Sequence, residues 1–228
     1  MPLRPARELG HFPAVPAYRA FLIDLDDTLY DRAQVFRAWL DELATGKRGR
    51  PLDEAEHAEV AALDLRGHRS RRELAVDLAA RFGLEFDPVA FPHVLAARLT
   101  PQPEARETLA ALARDHRVAI VTNGGAAQRV KLARIGVADV VHATFVSQEV
   151  GFAKPAREIF ERALGWSECR PSEVVFVGDH PTADIAPAGA LGMATAWRVR
   201  EAWPAELAPP TYKLTAVAEL LAIAEGRA

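Results

Sequence analysis

The sequence predicts an α/β fold: a parallel sheet flanked by helices and interrupted by one long helical insertion. Three observations carry this. Short apolar runs recur at residues 20–25, 117–121, 140–146, 173–177 and 193–197, rich in Val, Ile, Phe and Thr. Continuous runs of this length suit strands covered on both faces. Helical spacing fills the stretches between the later runs, and strands alternating with helices make parallel sheets with right-handed crossovers. The first two runs, however, are separated by about ninety residues, far too many for a single crossover helix.

Taken in order, residues 1–19 carry four prolines and no apolar core segment, so they read as an irregular arm and not a secretory signal. The first run, AFLIDL at 20–25, ends among carboxylates. Segments 32–44, 52–65, 70–82 and 87–98 each place apolar residues three or four apart, with breaks at Gly46–Pro51, Gly67–His68 and Gly83–Pro88. Placed directly after a polar strand tip, this helical block over 31–99 reads as a cap, leaving 20–30 and 100–228 as the core. Residues 103–114 set Ala105, Leu109 and Leu112 on one face, with Pro103 at the helix start. Helices over 126–134 and 155–164 follow the same logic. Residues 201–211 form a Pro-rich connector before a closing helix at 215–225.

The bulk numbers exclude several classes. The chain has 228 residues, 50% hydrophobic and 26% charged, with a formal net charge of -3. No basic excess suggests nucleic acid. No stretch approaches the roughly 18 uninterrupted apolar residues of a membrane span. Cys169 is the only cysteine, which rules out an intrachain disulfide and favours a reducing, cytoplasmic setting.

Three strand-like runs end in polar tips. The first ends in Asp24-Leu25-Asp26-Asp27-Thr28, the second in Thr122-Asn123-Gly124-Gly125, the third in Gly178-Asp179 with Asp184 five residues on. Lys154 stands in GFAKP before a helix. In an extended segment Asp24, Asp26 and Thr28 share one side. Two carboxylates two residues apart repel each other and lose hydration unless a cation or proton compensates. Mg²⁺ suits clustered oxygen ligands and binds substrate phosphate. Because ligands of open parallel sheets bind beyond the carboxyl ends of the strands, tips far apart in sequence converge in one pocket.

In this order, Asp24–Thr28, Thr122-Asn123-Gly124, Lys154-Pro155 and Gly178-Asp179…Asp184-Ile185 resemble the four signatures of the haloacid dehalogenase-like hydrolase superfamily. The likeness runs from about residue 19 to the end. It implies a Rossmann-like core, a helical cap of the C1 type and, for most such proteins, a Mg²⁺-dependent phosphatase acting on a small phosphorylated metabolite. It also implies roles. Asp24 is the nucleophile that forms an aspartyl-phosphate, and Asp26 is the general acid/base. Asp24, Asp179 and the backbone carbonyl of Asp26 are the metal ligands. Thr122 and the Asn123 N–H hold phosphoryl oxygens, and Lys154 offsets negative charge and keeps Asp24 ionised. Thr28 and Asp184 support these groups from behind, Asp184 by orienting Lys154 or a metal-bound water.

Asp26 separates readings within the superfamily. The dehalogenases carry a non-acidic residue there, since a departing halide needs no proton, so Asp26 favours phosphate esters over 2-haloacids. A mutase would also keep Asp26, but nothing in the insertion supports one. A non-catalytic binding protein on the same scaffold is the other alternative. The chain departs from the family pattern in Ile185-Ala186-Pro187-Ala188, where Gly usually stands, which puts Pro187 in the first helical turn. Asp27 reads as solvent-facing or as a local hydrogen-bond partner, His180 as a rim residue and Cys169 as a bystander. The basic clusters Lys47-Arg48…Arg50 and Arg66…Arg69…Arg71-Arg72 read as a solvated helical face. Phe36 and Trp39 read as core of the insertion.

Overall fold

Six strands pair in parallel, in the order β3-β2-β1-β4-β5-β6. They are β1 (Ala20–Ile23), β2 (Arg117–Thr122), β3 (Ala143–Val146), β4 (Val174–Gly178), β5 (Ala194–Arg198) and β6 (Tyr212–Leu214). The computed structural model describes residues 18–227, so the expected arm, apart from Tyr18 and Arg19, lies outside the described residues. No helix among these residues is long and apolar enough to cross a membrane.

β1 lies between β2 and β4, with Phe21 opposite Val118 and Val175, and Ile23 opposite Ile120 and Val177. Side chains alternate faces along each strand, so the sheet builds two cores. Phe21, Ile23, Val118, Ile120, Val175 and Val177 meet the helices α5 (Pro103–Leu112), α6 (Ala127–Ile135) and α10 (Leu220–Ala224). Ala20, Leu22, Ala119, Val121, Val174 and Phe176 meet α8 (Arg157–Ser167) on the other side. Every residue of β1 is fully buried, which is why its sequence is a continuous apolar run and not an alternating one.

The insertion consists of α1 (Arg32–Arg48), α2 (Glu54–Asp64), α3 (Arg71–Phe82) and α4 (Phe91–Ala97). Its starts are written in the sequence. Asp31 caps α1, Asp53 and Glu56 form a capping box on α2, and Ser70 caps α3. α1 does not break at Gly46 as expected. It continues to Gly49, which ends it in a left-handed conformation (φ 73°). One interior glycine costs about 1 kcal/mol against alanine, too little to stop a packed helix. Phe36 and Trp39 are core as read, stacked at 5.8 Å, with Phe91 4.8 Å from Trp39. α4 lies against α6 and so seats the insertion on the sheet layer.

Two further differences concern the C-terminal part. β6 was not legible, because three residues with an exposed Lys213 make no apolar run. The closing helix over 215–225 is a 3₁₀ turn (Val217–Glu219) followed by the short α10. Pro187 takes the second position of α9 (Ala186–Ala190), where its missing N–H is harmless.

One buried ion cluster ties the insertion together. Arg32 donates to both oxygens of Asp64 (2.7 and 3.1 Å), and Arg71 Nη1 donates to Asp64 Oδ1 at 2.9 Å. Asp64 and Arg32 are almost wholly buried. Asp64→Ala would strand two guanidiniums, and the expected loss of stability in urea unfolding is about 3–5 kcal/mol. A loss below about 1 kcal/mol would show that water replaces the carboxylate.

Candidate active site

The site forms beyond the paired tips of β1 and β4, at the carboxyl edge of the sheet. The Asp24 N–H donates to the Val177 carbonyl at 2.8 Å, extending the ladder one residue past β1 and delivering the Asp24 carboxylate to that edge. There Lys154 Nζ donates to Asp24 Oδ1 (2.5 Å) and faces Asp184 Oδ1 at 2.7 Å. The Thr28 hydroxyl donates to Asp24 Oδ2 at 3.0 Å. Asp184 Oδ2 also accepts the His180 N–H at 3.1 Å. Asp179 leaves the end of β4 with its carbonyl accepting from Trp197 Nε1 (2.8 Å).

Asp24, Thr122, Asn123, Lys154, Asp179 and Asp184 therefore line one cavity of about 390 Å³. Asn123 fixes the lysine loop: its amide donates to the Lys154 carbonyl and accepts the Lys154 N–H, both at 2.8 Å. The Thr122 hydroxyl accepts from Gln128 Nε2 at 2.6 Å, which leaves its own hydrogen free for an acceptor in the cavity. Ser147, at the start of α7 (Ser147–Val150), accepts the Gly124 N–H at 2.9 Å and anchors the turn after β2.

Asp26 stands slightly apart. Lys131 Nζ reaches both of its oxygens (2.6 and 2.8 Å), Gln128 Nε2 donates at 2.8 Å, and the Tyr30 hydroxyl also donates to it. Burial alone would raise the Asp26 pKa, but the Lys131 ammonium, then Tyr30 and Gln128, hold it well below the usual carboxylate range. Asp27 is buried in a left-handed conformation (φ 58°) and accepts the Arg32 and Ala33 N–H groups at 2.8 and 3.4 Å. Of the two readings for Asp27, the local hydrogen-bond partner is the one realised.

The insertion closes the cavity with Arg66, His68, Arg71, Phe91, Pro92 and Leu95. The basic residues thus divide. Arg48 and Arg50 hold Glu56 at the surface, as read, but Arg66 and Arg71 face the site. Arg66 Nη2 donates to Asp179 Oδ2. His180 is half-buried against His68, ring centroids 4.3 Å apart. Burial lowers the pKa of both imidazoles. Cys169 lies outside this cavity.

Sequence reasoning missed Tyr30, Gln128, Lys131, Arg66 and Arg71. Gln128 and Lys131 left a signal: they stand three apart on the face of α6 that Ala127 and Leu132 bury. Arg66 left none, since its placement depends on the turn after α2.

One oxygen each from Asp24, Asp179 and Asp184 lies within 4.8 Å of the others. Burial, then repulsion from Asp184 and Asp26 that Lys154 only partly offsets, pushes Asp24 up to about 7. Burial, then Asp24 and Asp184, pushes Asp179 up to about 8. Lys154 stays charged because Asp184 and Asp24 outweigh its own burial. Three buried carboxylates facing a single lysine fit a hard divalent cation such as Mg²⁺. Of the expected ligands, Asp24 and Asp179 converge, whereas the Asp26 carboxylate is taken up by Lys131 and leaves only its backbone carbonyl. Asp184, expected behind the ligands, brings an oxygen into the cluster itself.

A parallel sheet with carboxylates and a buried lysine at its topological switch point defines a class of α/β enzymes acting at the strand tips. The chain belongs to the haloacid dehalogenase-like hydrolase family, which it matches over residues 18–192. It is 32% identical over 189 residues to the glyceraldehyde 3-phosphate phosphatase of Methanothermobacter thermautotrophicus, covering 77% of this chain and 83% of the relative. It is 35% identical over 134 residues to the pyrimidine 5'-nucleotidase YjjG of Escherichia coli, a match spanning 58% of this chain and 60% of the relative. Among solved structures, the magnesium-bound HAD-hydrolase YfnB of Bacillus subtilis superposes with a TM-score of 0.77 at 25% identity, covering 91% of this chain and 98% of that one.

The raised carboxyls set a pH dependence. Asp24 and Asp179 bind protons more tightly folded than unfolded, so the folded state holds more protons between the unfolded carboxyl range near pH 4 and about pH 8. Raising pH through that window removes stability. The thermal midpoint in EDTA is expected to fall from about pH 5 to about pH 8.5, and Mg²⁺ at ten times its Kd to restore about 1.4 kcal/mol at the upper end. A midpoint that is flat with pH and blind to Mg²⁺ would contradict the cluster's electrostatics.

Proposed function

We propose that this chain is a Mg²⁺-dependent phosphatase of small phosphorylated metabolites, working through an aspartyl-phosphate on Asp24. The observation that carries the reading is the buried Asp24 carboxylate, held between Lys154 and Thr28 on the floor of a cavity that the insertion covers. Relatives named as phosphatases and a nucleotidase support hydrolysis of a phosphate monoester. The magnesium in the YfnB structure supports the metal.

Phosphate monoesters are among the slowest biological substrates, needing accelerations of up to about 10²¹-fold, and a covalent intermediate splits that barrier. Asp24 attacks phosphorus, the bond to the leaving oxygen breaks, and Asp26 protonates that oxygen. Asp26 then takes a proton from water as the water attacks the phospho-aspartyl group, releasing phosphate and restoring Asp24. Its ionised state suits the second half. For the first half it needs a proton, and the Lys131 ammonium and Tyr30 hydroxyl both hydrogen-bond to it. The Thr122 hydroxyl and the Asn123 N–H hold phosphoryl oxygens, and Lys154, kept in place by Asp184, offsets their charge. Asp24, Asp179 and the Asp26 carbonyl would hold Mg²⁺, which would supply the positive charge that lets a carboxylate approach an anionic phosphoryl group. The helices over 31–99 act as the cap that limits water and selects the leaving group. We place this activity in the cytoplasm, on the strength of a chain with a single cysteine.

Purified protein is expected to hydrolyse p-nitrophenyl phosphate with Mg²⁺, and EDTA or Asp24→Asn to lower kcat by roughly 10³-fold or more. Asp26→Asn is expected to cost about 10²–10⁴-fold on an alkyl phosphate, and less in the first step on p-nitrophenyl phosphate, whose leaving group departs readily without a proton. Full activity in Asp24→Asn would remove the nucleophile assignment. Metal-free halide release from 2-chloropropionate, without phosphatase activity, would establish the dehalogenase alternative instead.

A further inference from the structure

Of the insertion residues that line the cavity, Arg66 is placed by the turn after α2 and is not used by the catalytic reading. α2 ends at Asp64, and Leu65 (φ 50°), Arg66 (φ 54°) and Gly67 (φ 86°) then turn left-handed in succession before α3. Only the glycine does this freely. Strain of this kind persists where the surroundings over-determine it, and here they do. Arg71 Nη2 donates to the Gly67 carbonyl at 2.6 Å, and a Cβ at Gly67 would lie 2.9 Å from the Arg32 guanidinium. The turn holds the Arg66 side chain out across the cavity. Its Nη2 donates to Asp179 and its Nη1 donates to Glu201 at 2.7 Å.

Asp179 is the carboxylate that the proposed function assigns to the metal. A cation there would compete with the guanidinium for the same carboxylate and weaken its hold on Arg66 Nη2. Glu201, which accepts from Nη1 at 2.7 Å, would keep the guanidinium in place. A partly buried guanidinium that has lost its acceptor favours a new oxyanion. The other cations around the cavity are committed: Arg32 and Arg71 to Asp64, Lys131 to Asp26, Lys154 to Asp24 and Asp184. The transferring phosphoryl group has Thr122, Asn123 and Lys154 on the sheet side. Arg66 stands on the insertion side, the side left for the rest of the substrate.

We propose that Arg66 is a specificity residue that metal binding releases from Asp179 to bind a second oxyanion on the leaving group. The preferred substrates are then phosphate monoesters bearing a further carboxylate or phosphate. This inference rests on the phosphatase reading.

Two measurements on the full chain test it. Calorimetric titration with Mg²⁺, without substrate, is expected to show roughly three- to tenfold tighter binding to Arg66→Gln than to the wild type, since a competing cation is gone. Steady-state kinetics would compare 2-phosphoglycolate, 1,3-propanediol bisphosphate and glycerol 1-phosphate, which separate carboxylate, phosphate and uncharged remainders. The wild type should favour at least one acid-bearing ester. Arg66→Gln should cut that preference about tenfold, mainly through KM, with Arg66→Lys retaining part of it. Equal losses on all three esters, or a wild type with no preference, would overturn the inference while leaving the phosphatase reading intact. Unchanged metal affinity would overturn the release step. Turnover of none of the esters would count against the phosphatase reading itself.

Discussion

The buried ammonium of Lys154, set between Asp24 and Asp184, is the interaction on which the rest of the site depends. A lone lysine at this depth would lose its proton. The two carboxylates, at 2.5 and 2.7 Å, keep this one charged, while Lys154 only partly offsets the burial that pushes Asp24 up. The lysine comes from the loop before α8, Asp24 from the end of β1, and Asp184 from the turn after β4, so the contact joins three segments that the sheet alone leaves separate. Asn123 adds a fourth by clamping the Lys154 backbone. The balance is incomplete, since three carboxylates outnumber one lysine. That shortfall is what the proposed Mg²⁺ would offset.

Asp26 is held by a different partner in a different way. Its cation comes from α6, the helix on which α4 of the insertion rests. The two aspartates of one short tip are thereby tuned in opposite directions, Asp24 up and Asp26 down. Environment and not residue type divides their chemistry.

Much of the fold was legible because its strands are buried on both faces. Five apolar runs became five strands, and the apolar spacing over 31–99 became the helices of the insertion, three of them capped by Asp31, Asp53 and Ser70. β6 escaped because an edge strand of three residues has no need of an apolar run. At the site, residues on strand tips were legible, since Asp24, Thr122 and Asp179 interrupt apolar runs with polar groups. Residues that arrive from helices and turns were not. Lys131 looks like any helical lysine until α6 is docked, and Arg66 looks like part of a solvated basic cluster until three successive left-handed residues aim it inward.

Leu29 and Tyr30, where the chain leaves for the insertion, share one hydrophobic cluster with Leu99 and Ala105, where it returns. Departure and return are thus stitched into the sheet layer at a common seam, while Phe36, Trp39 and Phe91 build a separate interior of their own. A chain arranged in this way can vary the interior of the insertion while β1 keeps its register against β2 and β4. Inheritance of the chemistry and divergence of the substrate are then matters for two different stretches of the same gene.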